Sequence, residues 1–149
     1  MDDVVWTVKS FDELTASELY SVIKARVDVF VVEQQCPYPD LDGYDQQALH
    51  LWAIKNGDIA AYCRIFTPGI KYSEASIGRV LTNQNYRQMK FGKVLMKFAI
   101  NIIEARFRTS AIRISAQDYL LRFYGEVGFE DTGRKYLEDN IPHTEMVRN

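Results

Sequence analysis

Five cations, Arg79, Arg87, Lys90, Lys93 and Lys97, lie within residues 75–103, a stretch with no Asp or Glu. They centre on the run Tyr86-Arg87-Gln88-Met89-Lys90-Phe91-Gly92-Lys93. Before it stands a short β-branched segment, residues 75–82; after it Val94, Leu95, Phe98, Ile102 and Ile103 recur at helical spacing. A helix that starts in such a turn aims unpaired backbone N–H groups and the positive end of its dipole at the space above the strand. With the cations, that makes a phosphate cradle. The whole chain carries a formal charge of only −2, so the arrangement is local. Lys97 taken alone reads as a solvated helix face; Arg87, Gly92 and Lys93 taken together read as the site.

A second pattern has the opposite sign. Residues 27–54 contain Asp28, Glu33, Asp40, Asp42 and Asp45 and no Lys or Arg. Such a segment favours a cation, so a polyanionic ligand and a cationic one would each be drawn to its own side. Asp40 and Asp42 also suit the turns of a Pro/Gly loop.

The elements that must position these groups follow from local pattern. Residues 4–9 alternate as an opening strand does. Thr15 and Glu18 have capping-box spacing, and Leu19, Val22, Ile23, Val27 and Phe30 follow as one helical stripe. Residues 34–47, with Pro37, Pro39 and Gly43, form a long irregular loop in which Cys36 is open to exposure. Residues 50–55 and 59–66 are a hairpin around Asn56-Gly57, with Cys63 in its apolar core. Strand 75–82, helix 92–105 and strand 111–116 make a crossover, which puts the basic turn at the carboxyl end of a strand. Asp118 is the expected N-cap of a short helix, 119–127, ended by Gly128. Residues 129–149 read as a strand pair: segments 134–137 and 144–147 flank a loop, 138–143, that contains the turn residues a hairpin connection needs. The order predicts one α+β domain over residues 1–149, with a mixed, mostly antiparallel central sheet flanked by helices.

At 149 residues and 47% hydrophobic content, one core is expected. The near-neutral charge and the absence of a long basic run argue against nucleic-acid binding. No apolar run approaches the roughly 20 residues of a membrane span. The start Met-Asp-Asp-Val-Val-Trp lacks a basic leader, and the two cysteines form no Cys-x-x-Cys pair. A cytoplasmic protein with free thiols is expected.

The turn Arg87-Gln-Met-Lys-Phe-Gly92 resembles the Arg/Gln-x-x-Gly-x-Gly/Ala signature of the GNAT acyltransferase superfamily. Gln117-Asp-Tyr-Leu-Leu-Arg-Phe-Tyr124-Gly-Glu-Val-Gly128-Phe129 resembles its second motif, Asn-x-x-Ala-x-x-x-Tyr-(x)₃-Gly-Phe. Residues 26–43 and Ile141-Pro-His143 are similar to the ElaA-like branch, which shares Lys at position 90. Lys90 replaces the family's first glycine, where a Cβ restricts positive φ but an ammonium can meet a phosphate. Gln117 replaces an Asn, keeping the amide and changing its reach.

The resemblance implies acetyl-CoA, or another acyl-CoA, as cosubstrate and a small or peptidic amine as acceptor. It implies a sheet splayed at the acyl-CoA strand, with pantetheine along Val80, Leu81 and Thr82. The pyrophosphate would lie on the N–H groups from Gln88 to Lys93, hence Arg87, Gln88, Met89, Lys90, Phe91, Gly92 and Lys93, with Gln117 and Phe123 nearby. Tyr124 matches the family's acid, protonated at neutral pH and able to protonate a departing thiolate. No carboxylate stands at residues 77–79, where the wider family often supplies a base. Among Glu33, Asp42, His50 and His143, the sequence ranks Glu33 and His143 first. Two rivals stay open: a non-catalytic acyl-CoA-binding regulatory domain and, less favoured, an acyl-homoserine-lactone-synthase-like enzyme, whose chains run longer. The oligomeric state is open, a homodimer among the options.

Overall fold

A computed structural model describes residues 3–149; Met1 and Asp2, where the lack of a basic leader begins, lie outside the described residues. The alternating N-terminal segment forms β1 (Val5–Ser10). The Thr15 capping box closes as its spacing predicts: the Glu18 N–H donates to Thr15 Oγ1 at 3.1 Å and the Thr15 N–H to Glu18 Oε1 at 2.9 Å. Helix α1 (Ala16–Val27) starts there and widens into a π-type turn over Asp28–Glu33. Strands β2 (Leu49–Lys55) and β3 (Asp58–Phe66) pair across Asn56 and Gly57, both at positive φ (52° and 81°), as a tight hairpin requires.

The crossover consists of β4 (Ser76–Thr82), α2 (Phe91–Ile102) and β5 (Ile112–Gln117). Then come α3 (Leu121–Glu126), β6 (Glu130–Glu138) and β7 (Ile141–Arg148). The strands form two antiparallel sheets, β1-β2-β3-β4 and β5-β7-β6. One parallel bridge, Ala75 with Ile112, joins them, and the Arg113 N–H donates to the Ala75 carbonyl at 2.9 Å. Past that point β4 and β5 diverge. A bulge accentuates the divergence: Tyr62 opposes Leu81 while Arg64 opposes Gly78, so β4 carries one extra residue, and Arg79 there has φ 49°.

Because strand side chains alternate, the first sheet is covered on both faces. Leu51, Cys63 and Ile77 meet Leu95, Met96, Ala99 and Ile103 of the α2 side. Trp52, Tyr62 and Leu81 meet Val22 of α1 and Val29. The α+β class, antiparallel sheets flanked by helices, is as the sequence implies.

Three local expectations change. The expected hairpin connection forms but is shorter than the loop 138–143: a two-residue turn, Asp139 and Asn140 at φ 50° and 64°, closes β6 onto β7 and puts His143 in a strand. Asp118 does not cap α3; its carboxylate accepts the Thr144 hydroxyl at 2.6 Å. Cys36 is buried, its Sγ 3.5 Å from the Asp139 carbonyl. Among the described residues no helix is long and apolar enough to cross a membrane.

Candidate functional site

A cleft of about 540 Å³ opens where the two sheets part. One wall is β4 from Ile77 to Thr82; the other carries Ser115 and Gln117 of β5 and His143 of β7. Beyond Ala75, β4 forms no ladder pair with β5 among the described residues, so the backbone edge of Val80, Leu81 and Thr82 faces the cleft. Such an edge can bond an extended amide-bearing chain as another strand would.

At the carboxyl end of β4 the chain makes a 3-10 turn, Gln84–Met89, and then Lys90 takes φ 60° and ψ 35° as the residue before α2. Lys90 thus adopts the left-handed conformation that glycine adopts more cheaply. The first-turn N–H groups of α2, from Phe91 to Lys93, lack intrahelical acceptors by helix geometry. Arg87, Lys90, Gly92 and Lys93 line the cleft; Gln88 and Met89 do not, and Phe91 packs into the core. A Cβ on Gly92 would lie 3.2 Å from two atoms of the Phe123 ring and 3.6 Å from Thr82 Cγ2. The two sequence motifs therefore touch at Gly92 and Phe123.

Three of the five cations are compensated in space. Arg87 forks onto Glu33 at 2.6 and 2.9 Å, and its Nη2 also donates to the Thr82 carbonyl at 3.0 Å. Lys93 pairs with Glu126 at 2.9 Å. Arg79 leaves the cradle altogether, donating to Asp40 Oδ1 at 2.9 Å and to the Asp40 carbonyl at 2.7 Å. Glu33, ranked as a base candidate, does not line the cleft and has both oxygens on Arg87.

The acidic segment is likewise internally neutralised. Fully buried Arg26 contacts Asp45 at 2.7 Å and Asp40 at 2.9 Å, the latter an off-axis charge contact. Arg64 reaches Asp42 at 2.7 Å and Asp45 at 3.0 Å, and Asp28 takes Lys24 at 2.8 Å. Burial alone would raise the Asp42 and Asp45 carboxyls, but the guanidinium hydrogen bonds reverse this and hold both below the usual range. The expected anionic surface for an amine is thus an internal lattice of three arginines and three aspartates that pins the 34–47 loop. His50 is structural: Nε2 faces the Asp45 carbonyl at 2.9 Å and Nδ1 the Tyr62 hydroxyl at 2.6 Å.

Tyr124 lies in the cleft wall between Phe123 and Phe129. Burial pushes its phenol up, so it stays protonated, and its hydroxyl makes no hydrogen bond among the described residues. Gln117 exchanges amide hydrogen bonds with Gln34 at 3.1 and 3.3 Å across 83 residues. His143 is nine-tenths buried, with Nδ1 2.7 Å from the Ile141 carbonyl. A carbonyl only accepts, so Nδ1 carries a proton toward Ile141, which leaves Nε2 as the ring nitrogen that a ligand could meet. That nitrogen is 4.0 Å from Glu138 Oε2.

Gln34, Ser115, Glu138 and Asp139 also line the cleft and were not singled out in the sequence. The two-residue period links Ser115 to Gln117 on one face of β5, a legible signal; the other three depend on cross-chain register. The arrangement suits a long polyanionic ligand entering along β4, with the Tyr124 side chain and the His143 imidazole in the same cleft.

Residues 16–149 match the family model described as an acetyltransferase (GNAT) domain. Protein ElaA of Escherichia coli is 35% identical over 97% of this chain and 96% of its own. Its crystal structure superposes with a TM-score of 0.90, covering 98% of this chain and 99% of that one. An acyl-CoA N-acyltransferase from Pseudomonas aeruginosa is similar at 38% identity and TM-score 0.91, covering 97% and 99%. The CoA-dependent acyl-homoserine lactone synthase BjaI shares the fold alone, at 16% identity and TM-score 0.78 over 97% of this chain and 82% of its own.

Proposed function

Since the chain belongs to the GNAT acetyltransferase family, we propose that it moves an acetyl group from acetyl-CoA to a primary amine by direct attack. The observation that carries this reading is the cleft itself: an unpaired β4 edge runs from a helix-start cradle to an unbonded, protonated Tyr124 hydroxyl. Val80, Leu81 and Thr82 receive the pantetheine arm, flanked by Gln117 and Phe123. The N–H groups from Phe91 to Lys93, with Arg87 and Lys90, receive the pyrophosphate. Of the two base candidates, His143 is favoured, because its Nε2 faces the cleft while both Glu33 oxygens are engaged by Arg87. Glu33 then serves to hold Arg87.

In the transfer, the amine nitrogen gives a proton to His143 Nε2 and bonds to the acetyl carbon. The C–S bond breaks, and Tyr124 protonates the departing sulfur. The amide forms and free CoA thiol leaves. Two buried, unpaired cysteines agree with a cytoplasmic setting. The lactone-synthase reading has only likeness of fold behind it.

Thiol release against a panel of amines tests the proposal. Tyr124→Phe removes only an unbonded hydroxyl, so folding and acetyl-CoA affinity hold while kcat falls about 100-fold or more. Acetyl-CoA binding without amine-dependent thiol release in the native protein would overturn transfer in favour of a binding module. Unchanged kcat in the variant would remove Tyr124 from the acid role.

A further inference from the structure

The cleft contains a carboxylate site apart from the acidic segment. Seven charged residues line it: Asp40, Arg79, Arg87, Lys90, Lys93, Glu138 and Asp139. Asp40 is spent on Arg26 and Arg79. Among the described residues, Glu138 and Asp139 have no Lys or Arg within ion-pair distance, whereas neighbouring Glu145 is taken by Arg113 and Arg134. Three strands hold Glu138 in place. Its Oε1 accepts from the Ser115 hydroxyl of β5 at 3.0 Å; that oxygen in turn accepts from Tyr136 of β6; and the Tyr136 ring stacks on His143 of β7 at 6.1 Å between centroids. Beside this oriented carboxylate stands the nine-tenths buried His143, whose Nε2 is 4.0 Å from Glu138 Oε2 and makes no hydrogen bond among the described residues.

An imidazole beside two carboxylates that no Lys or Arg contacts among the described residues selects a particular amine. The imidazole takes the proton of the reacting nitrogen; the carboxylates gain most from a second, non-reacting ammonium and repel an acceptor bearing its own carboxylate. Resting on the acetyl-transfer reading, we propose that the acceptor is a small di- or polyamine. One ammonium is received by Glu138 and Asp139 at the β6–β7 turn while the other nitrogen, deprotonated, faces His143. Glu138 is here a specificity-determining residue, held by Ser115 and Tyr136.

Three amines of equal length separate charge from fit: 1,4-diaminobutane, 4-amino-1-butanol and 4-aminobutyrate. Thiol release should favour the diamine about 10-fold over the amino alcohol in kcat/KM and should be weakest with the amino acid. Glu138→Gln, a change at an exposed side chain, should raise KM for the diamine about 10-fold and leave the amino alcohol and acetyl-CoA values within about 2-fold. Asp139→Asn provides a second variant and should act in the same direction. Thiol release without preference for the diamine, or a preference that survives both substitutions, overturns the proposal and leaves acetyl transfer standing. If no amine releases thiol, calorimetric titration of 1,4-diaminobutane into the CoA-bound protein decides separately. Binding lost in Glu138→Gln upholds the cation site although transfer fails, and no binding overturns it.

Discussion

Lys90 has a Cβ yet adopts φ 60°, a conformation that costs an ordinary residue roughly 1 kcal/mol. Replacing it with glycine relieves that strain but loosens the unfolded chain by a comparable amount, so the two effects nearly cancel. The side chain's charge is then the difference that remains. Lys90→Gly should leave the melting temperature within about 3 °C of native and weaken CoA binding about 3- to 10-fold at low salt, with a shallower salt dependence. Calorimetric titration at two ionic strengths checks this; unchanged affinity would assign the cradle to backbone N–H groups alone. The same single-residue view separates His143 from Glu33. Both carry plausible base chemistry in the sequence, yet one is left with a free nitrogen in the cleft and the other is clamped by a guanidinium 54 residues away.

Between elements, the decisive contact is the approach of α2 to α3. Gly92 sits in the first turn of α2, and any Cβ there would press the Phe123 ring at 3.2 Å, closer than ordinary van der Waals contact. Alanine gains up to about 1 kcal/mol of helix propensity over glycine, so stability should change little. The ring must move a few tenths of an ångström, and Phe123 lines the cleft. Gly92→Ala is therefore expected to shift the melting temperature by less than about 4 °C yet raise the CoA dissociation constant about 10-fold, measured by calorimetry. Equal affinity would mean that the ring yields without narrowing the cleft. Each motif was legible as a turn followed by a helix, because capping, helical period and glycine punctuation are local. Their contact was not, because it depends on how far β4 and β5 splay after the Ala75 to Ile112 bridge.

For the molecule as a whole, the lattice of Arg26, Arg64, Arg79, Asp40, Asp42 and Asp45 ties α1, β3 and β4 to the loop that borders the cleft. The exposed Lys24–Asp28 pair, four residues apart on the surface, contributes about 0.3–0.5 kcal/mol. Removing one carboxylate from the buried lattice leaves guanidinium charge uncompensated and costs far more. Each arginine facing Asp45 keeps a second carboxylate, so Asp45→Asn should cost about 3 kcal/mol, at the lower end for a broken buried pair. The Asp45 carboxyl is held below its ordinary value, so its contribution is complete above about pH 4, the unfolded value, and is lost as pH falls through the lower folded one. Urea unfolding at pH 7 and at progressively lower pH should show native and variant stabilities converging below about pH 4. A constant gap would remove Asp45 from the acid response.

From the sequence alone came the order of elements, the α+β class, the capping box at Thr15, the Asn56-Gly57 hairpin and the two turn-and-helix motifs. These rest on hydrogen bonds and periodicities spanning a few residues, so composition at short spacing determines them. The state of the charges was decided only by the tertiary structure. Residues 75–103 look uniformly basic and residues 27–54 uniformly acidic, yet folding joins Arg79 to Asp40 and Arg87 to Glu33 and quenches much of both. The cleft carboxylates left without a Lys or Arg partner among the described residues, Glu138 and Asp139, stand instead at the β6–β7 turn, which neither charge pattern marks. Electrostatic pairing falls off over a few ångströms in space and takes no account of separation along the chain, so register and chain path, rather than local composition, settle which charges remain for a ligand.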